Sequence, residues 1–288
     1  MRNKNRLVDK TFLSADHADE RVIRHRDQVA HTFRWANVAR HLARSGNYKG
    51  AIVLEGGCGR ECPLAKMLYS NRLIPLKYVG VDIGPIIIPD MIKGKKIPAV
   101  FWPETDFCAM TGNDVLHEGR LPNVFVSFEV LEHQLPSDIR KFLIKAQELT
   151  SKDCNFFIST PCWDGYNAAD NHLSEMTVGA LGSLFEDLGY KIEGMWGTFA
   201  SQKDYKPIME SRYPGITEVY EKLSEYYDST VISLIFAPLF PMESRNCLWH
   251  LTKAPASMQE RMFSTLSLQP GPWSQHPDWR DLDGAPNA

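Results

Sequence analysis

The strongest constraint on this chain is an alternation of short, largely apolar runs with segments of helical periodicity. The runs are Ala51–Glu55, Tyr78–Asp82, Ile97–Trp102, Val124–Val130, Asn155–Ser159, Tyr190–Trp196 and Asn246–Thr252. Each has strand length, and most show little polar alternation, as expected of strands buried on both faces. Between them, apolar residues recur at helical spacing over 18–43, Pro63–Leu73, Pro136–Leu149 and Thr177–Leu188. Thr177 is placed to cap the last of these and Gly189 to stop it. The pattern predicts an α/β fold with a seven-stranded, mainly parallel sheet flanked by helices. Right-handed crossovers gather the C-terminal ends of parallel strands on one edge, where ligands bind. Glu55–Glu61, Asp82, Asp106, Glu129–His133 and Pro161–His172 all fall there.

Around this body the chain reads as an N-terminal helical cap (1–49), a catalytic domain (50–254) and an irregular tail (255–288). Residues 201–243 form an insert before the last strand, with a helix over Ile216–Tyr227, five tyrosines and a second apolar segment. The insert is either an acceptor-side lid or a contact between copies, because its apolar stretch needs cover. The tail holds five prolines and lacks periodicity, although Trp273 and Trp279 suit docking.

Composition removes several classes. The first twenty residues mix charges without an apolar core, so they do not read as a signal peptide. The longest mostly apolar stretch, Val231–Phe240, is far short of the ~20 residues that cross a bilayer. A soluble, cytoplasmic protein is expected. Six cysteines without a second closely spaced pair suggest reduced thiols rather than a disulfide scaffold or a zinc site. The net charge of −3 conceals a basic arm: residues 1–49 carry +6 and the remainder −9. Arg21, Arg24, Arg26, Arg34, Arg40 and Arg44 read as a solvated helical face, with phosphate or an acidic ligand as the alternative.

The turn E-G-G-C-G-R-E (Glu55–Glu61) stands between a buried strand and a helix. Its glycines allow positive φ and close approach of a ligand. A dinucleotide turn would place a third glycine where Cys62 stands, and no Gly-Lys-Ser/Thr follows, which excludes a P-loop. An acid at the strand end suits a cationic ligand better than a phosphate. With Asp82 ending the second strand, Asp106-Phe107 after the third and S-F-E-V-L-E-H (Ser127–His133) after the fourth, the chain resembles class I S-adenosylmethionine-dependent methyltransferases. The first motif of that family is acid-x-Gly-x-Gly-x-Gly. Glu55, Gly57 and Gly59 match it, and Glu61 replaces the last glycine. The resemblance implies that Gly57, Cys58 and Gly59 lie under the methionine part of S-adenosylmethionine. It further implies that Asp82 holds the ribose hydroxyls, Ile83 lies against adenine, Asp106 and Phe107 read the adenine edge, and Glu129 lies beneath the methyl donor. A carboxylate can accept both vicinal O–H donors, which supports Asp82 independently.

The acceptor is less defined. No Asp/Asn-Pro-Pro-aromatic tetrad follows the fourth strand, which argues against DNA amino-methylation. No Pro-Cys stands there either, although Cys162 follows the fifth strand. On a first helical turn Glu129, Glu132 and His133 would share a face. The sequence E-x-x-E-H followed by N-H-L-S-E-M-T resembles ubiquinone-pathway O-methyltransferases and small-RNA 3′-terminal 2′-O-methyltransferases. That resemblance implies Glu129, Glu132, His133 and His172 as ligands of a divalent metal ion. Without a metal, His133 is the general-base candidate. The expected function is methylation of an O or N atom of a small-molecule or nucleoside-like acceptor, with Trp163–Asn167, the cap and the insert recognising it. RNA ribose 2′-O-methylation with a metal is the alternative. A catalytically silent S-adenosylmethionine-binding protein is a reading from another class, but such a chain would be expected to have lost motif residues.

Overall fold

The computed structural model describes residues 26–44, 48–93, 98–163, 171–199, 209–211, 213–227 and 229–255. The first part of the expected N-terminal helix, Asp164–Asn167, Tyr205 and residues 256–288 lie outside them.

Seven strands form one sheet: β1 (Ile52–Gly56), β2 (Lys77–Val81), β3 (Ala99–Trp102), β4 (Val124–Phe128), β5 (Asn155–Pro161), β6 (Tyr190–Phe199) and β7 (Asn246–Lys253). Their order is β3-β2-β1-β4-β5-β7-β6. The β1–β2, β1–β4, β2–β3 and β4–β5 pairs are parallel, whereas β7 runs antiparallel to both β5 and β6. The fold class read from the sequence is therefore observed, with β7 reversed.

Both faces of the sheet are covered along β1, β2, β4 and β5, which is why these strands carry few polar residues. Adjacent residues of a strand point to opposite faces. Leu54, Phe125 and Phe156 pack with Phe142 and Leu143 of α3 (Pro136–Glu148) and with Leu184 and Phe185 of α4 (Val178–Asp187). Val53, Val126 and Phe157 pack instead with Val38 and Leu42 of α1 (Arg26–Arg44) and with Leu64 and Leu68 of α2 (Pro63–Ser70). Thr177 caps α4 by accepting from the Ala180 N–H at 3.2 Å, and Gly189 follows with φ +81°.

Among its described residues the insert includes the helices α5 (Pro214–Ser224) and α6 (Ser229–Phe236). The second forms where the sequence showed only an apolar segment. Ile232, Phe236 and Phe240 are covered by Tyr220 and Met209 in a small core of their own. α6 also packs on α1 and β6, while Ile235 and Leu239 stay exposed. Among the described residues no helix is long and apolar enough to cross a membrane.

Candidate active site

Every strand-end motif lies on one edge of the sheet. The β1–α2 turn is tied to β2, since the Gly57 and Cys58 N–H groups both donate to the Val81 carbonyl, at 2.8 and 3.1 Å. Gly57 and Gly59 have φ of +78° and +70°, values that favour glycine. At Gly57 space excludes a side chain as well, because a Cβ would come within 2.2 Å of Val130 Cγ2. The Cys58 thiol is buried in the core, so only its backbone lines the turn.

Asp82 organises this corner. Its two oxygens accept from the Gly59 and Gly84 N–H groups, each at 2.8 Å. A carboxylate has about four lone-pair sites, so two acceptor positions remain for a ribose diol. Burial raises the Asp82 pKa, opposed by the two backbone bonds. Ile83, beside it, is 52% exposed, a large apolar side chain open to solvent. Asp106 is exposed and accepts from the Cys108 N–H at 2.8 Å. Phe107 is buried and packs against Gly56, Phe125 and Phe142. Glu55 is buried below the turn, where the Tyr78 hydroxyl donates to it. Burial pushes its carboxyl up to about 8, against the Tyr78 bond and with the Asp82 charge adding to the rise. A carboxylate at the end of β2, an exposed apolar side chain next to it and a glycine turn opposite suit a nucleoside with a cationic tail.

The segment after β4 departs from the expected helical turn. Leu131–His133 is a single 3-10 turn, and Glu129 precedes it with φ +57°. Glu129 therefore does not share a helical face with Glu132 and His133. Its carboxylate instead enters a cage of donors. Ser159 Oγ donates to it at 2.9 Å, Asn246 Nδ2 to both oxygens at 3.0 and 2.8 Å, and Arg34 Nη1 lies 3.5 Å away. Burial would raise its pKa, but the Arg34 guanidinium, His31 and the two side-chain donors together hold it below the usual carboxylate range.

Arg34 itself is 1% exposed, donating also to Thr198 and Asn246 at 3.3 and 3.1 Å. Arg40 and Arg44 of the same helix are exposed, as a solvated face requires. The side chains of Arg21, Arg24 and Arg26 lie outside the description. One signal for Arg34 was present: it stands four residues before Val38 and eight before Leu42, on the apolar stripe of α1. Asn246 and Thr198 gave no such signal. Asn246 reaches this edge because β7 starts where the parallel strands end, and Thr198 because β6 runs in the direction of β5 and ends there.

Glu132, His133 and His172 come together beside this cage, with one ligand atom from each lying within 4.8 Å of the others. Glu132 is fully buried; its Oε2 accepts from Thr160 at 3.0 Å and its Oε1 makes no hydrogen bond. Burial, then the nearby Glu129 charge, pushes its carboxyl up to about 8, opposed by His172 and the Thr160 bond. The rings of His133 and His172 meet edge to face at 5.1 Å. His133 Nδ1 lies 3.1 Å from the Asn171 carbonyl, which can only accept, so Nδ1 carries the proton and Nε2 the lone pair. Two imidazoles and a buried carboxylate whose Oε1 makes no hydrogen bond and lies 3.8 Å from His133 Nε2 are a donor set that fits a divalent transition ion. Of the four residues that the resemblance implies as metal ligands, the structure groups three and gives Glu129 other partners.

The remaining residue singled out after β5, Cys162, is buried, and its thiol faces the Thr160 carbonyl at 3.8 Å. All six thiols are free.

No protein-family model matches the chain, and no curated protein matches it. Solved structures do. The 1,6-didemethyltoxoflavin-N1-methyltransferase of Burkholderia thailandensis, solved with bound 1,6-didemethyltoxoflavin and S-adenosylhomocysteine, is similar over 80% of this chain and 80% of its own, at 16% identity and a TM-score of 0.50. The small RNA methyltransferase HEN1 is similar over 81% of this chain at 15% identity and a TM-score of 0.53. The matched part is 26% of the HEN1 chain. In sheet order, in the reversed seventh strand and in these likenesses, the chain has the class I methyltransferase fold.

Proposed function

We propose that the chain is an S-adenosylmethionine-dependent methyltransferase acting on an O or N atom of a small-molecule or nucleoside-like acceptor. The observation that carries this reading is the corner formed by the Gly57–Gly59 turn, Asp82 and Ile83 at the C-terminal ends of the adjacent strands β1 and β2. Asp82 would hold the ribose, Ile83 would lie along adenine, and Gly57, Cys58 and Gly59 would pass beneath the methionine part. Asp106 and Phe107 would read the adenine edge. The bound cofactor supplies an electrophilic methyl group on a sulfonium, and the protein must align an acceptor in line with it.

Glu129, ionised in its cage, would set a fixed negative charge beneath the donor. Glu132, His133 and His172 favour oxygen as the target atom, because an ion held there could engage two vicinal oxygens and lower the pKa of a hydroxyl. If no ion binds, His133 Nε2 carries the lone pair a general base needs. The metal arm brings in the second reading, 2′-O-methylation at an RNA end, supported by the same cluster together with the fold shared with HEN1.

Turnover with methyl-labelled S-adenosylmethionine against catechols, nucleosides and short RNAs, with and without chelator, tests these readings. Label transferred to a diol and lost in chelator supports the metal-assisted form. Transfer unaffected by chelator leaves His133 as base. RNA binding that weakens steeply with salt would favour the nucleic-acid acceptor.

A further inference from the structure

His172 does not stand alone on its loop. Glu175, three residues on, is fully buried. Its Oε1 meets His172 Nδ1, and its Oε2 lies 2.5 Å from Arg245 Nη2. Arg245 also donates to the Cys162 carbonyl, and its own carbonyl accepts from the Cys162 N–H at 2.8 Å, so its guanidinium is anchored at the end of β5. On the other side, the Leu173 and Ser174 N–H groups donate to the Glu132 carbonyl at 2.6 and 3.0 Å. The loop that carries His172 is thus fixed to the residue whose carboxylate it faces.

A buried carboxylate needs donors on both oxygens. Arg245 can only donate, and it takes one oxygen; the other must then accept a proton-bearing group, which here is His172 Nδ1. That assignment leaves Nε2 with the lone pair, the form of imidazole that binds a metal. A carboxylate behind a ligating histidine also orients the ring and raises its basicity.

We propose that Glu175 and Arg245 are positioning residues that hold His172 in its Nδ1–H tautomer and so make it a metal ligand, an inference that rests on the metal-assisted reading above. The Glu175→Gln variant sharpens this. Arg245 would claim the amide oxygen, turning the amide NH2 toward His172 Nδ1. The imidazole would then have to accept at Nδ1 and carry its proton at Nε2. An equivalent loss of the correct tautomer is known to disable a catalytic histidine whose carboxylate becomes an amide.

The experiment uses the full chain, with Co2+ as the probe in calorimetry and 15N-imidazole spectra of the metal-free protein. In the wild type His172 should show the Nδ1–H tautomer; an Nε2–H tautomer would overturn the proposal without any variant. E175Q should weaken Co2+ binding about 10–100-fold, the usual effect of losing such a partner, and should invert the tautomer. A purely structural Glu175–Arg245 link would leave both readouts unchanged in folded E175Q, and that result would also overturn the positioning role. Absence of Co2+ binding to the wild type would remove the metal reading itself, and with it the positioning role.

Discussion

Glu129 and Glu132 are three residues apart in one motif, yet the fold gives them opposite surroundings. Glu129 has a donor on every side: Ser159, Asn246 and the buried guanidinium of Arg34. Glu132 has one donor, Thr160, an oxygen without a hydrogen bond, and two imidazoles nearby. The first carboxylate is satisfied by protein alone. The second shares its surroundings with the two imidazoles. The difference arises from backbone geometry, since φ of +57° at Glu129 turns its side chain out of the 3-10 turn that carries Glu132. Residue type and spacing do not assign a role to a carboxylate; its partners do.

The sharpest way to break this contrast is Arg34→Met. It leaves the buried Glu129 charge uncompensated and should cost about 3–5 kcal/mol of stability by urea unfolding. Adding Glu129→Gln to that variant should recover much of the loss; no recovery would mean that the two groups are not a pair. Glu132→Gln should behave differently. The substitution keeps the shape and leaves no cation unpaired, so metal-free stability should change by about 1 kcal/mol or less. Co2+ affinity should nevertheless fall steeply. Equal stability losses in Glu129→Gln and Glu132→Gln would erase the distinction.

Much of the architecture was legible in the sequence because a strand buried on both faces must be apolar, and the runs that became β1, β2, β4 and β5 are just that. The strand-end motifs were legible for the same reason: parallel strands leave their C-terminal ends together. What escaped notice depends on contacts between distant parts of the chain. Arg34 meets Thr198 and Asn246 across separations of 164 and 212 residues. A basic helix looks solvated until the partner of one arginine is known. The reversal of β7 was equally hidden, and it alone brings Asn246 to the site. α6 was missed because Ser229–Phe236 contains Thr230, Val231 and Ile232, β-branched residues whose weak helix propensity is overridden by burial.

Smaller effects come from two groups outside the contrast. Burial, then the neighbouring His41, pushes the pKa of His250 down from 6.5 to about 4, with Glu193 opposing. The folded state then binds fewer protons than the unfolded one between those values. Stability should therefore fall as pH drops from 6.5 toward about 4. For Glu55 the sign reverses. Its pKa is raised from 4.5 to about 8, so the folded state binds more protons and stability should fall as pH rises through that window. Denaturant midpoints across pH would show both slopes. Glu55→Gln should reduce the alkaline one, to which Glu132, also raised to about 8, contributes as well, and His250→Phe, which can keep the ring stacked on Phe157, should flatten the acid one.

The Gly57–Gly59 turn, Asp82 and Ile83 form the corner proposed to hold S-adenosylmethionine. Calorimetry with S-adenosylmethionine and the full chain tests it most directly. One molecule should bind the wild type, and Asp82→Ala should weaken that binding strongly while the protein stays folded. No binding to the wild type would contradict the account.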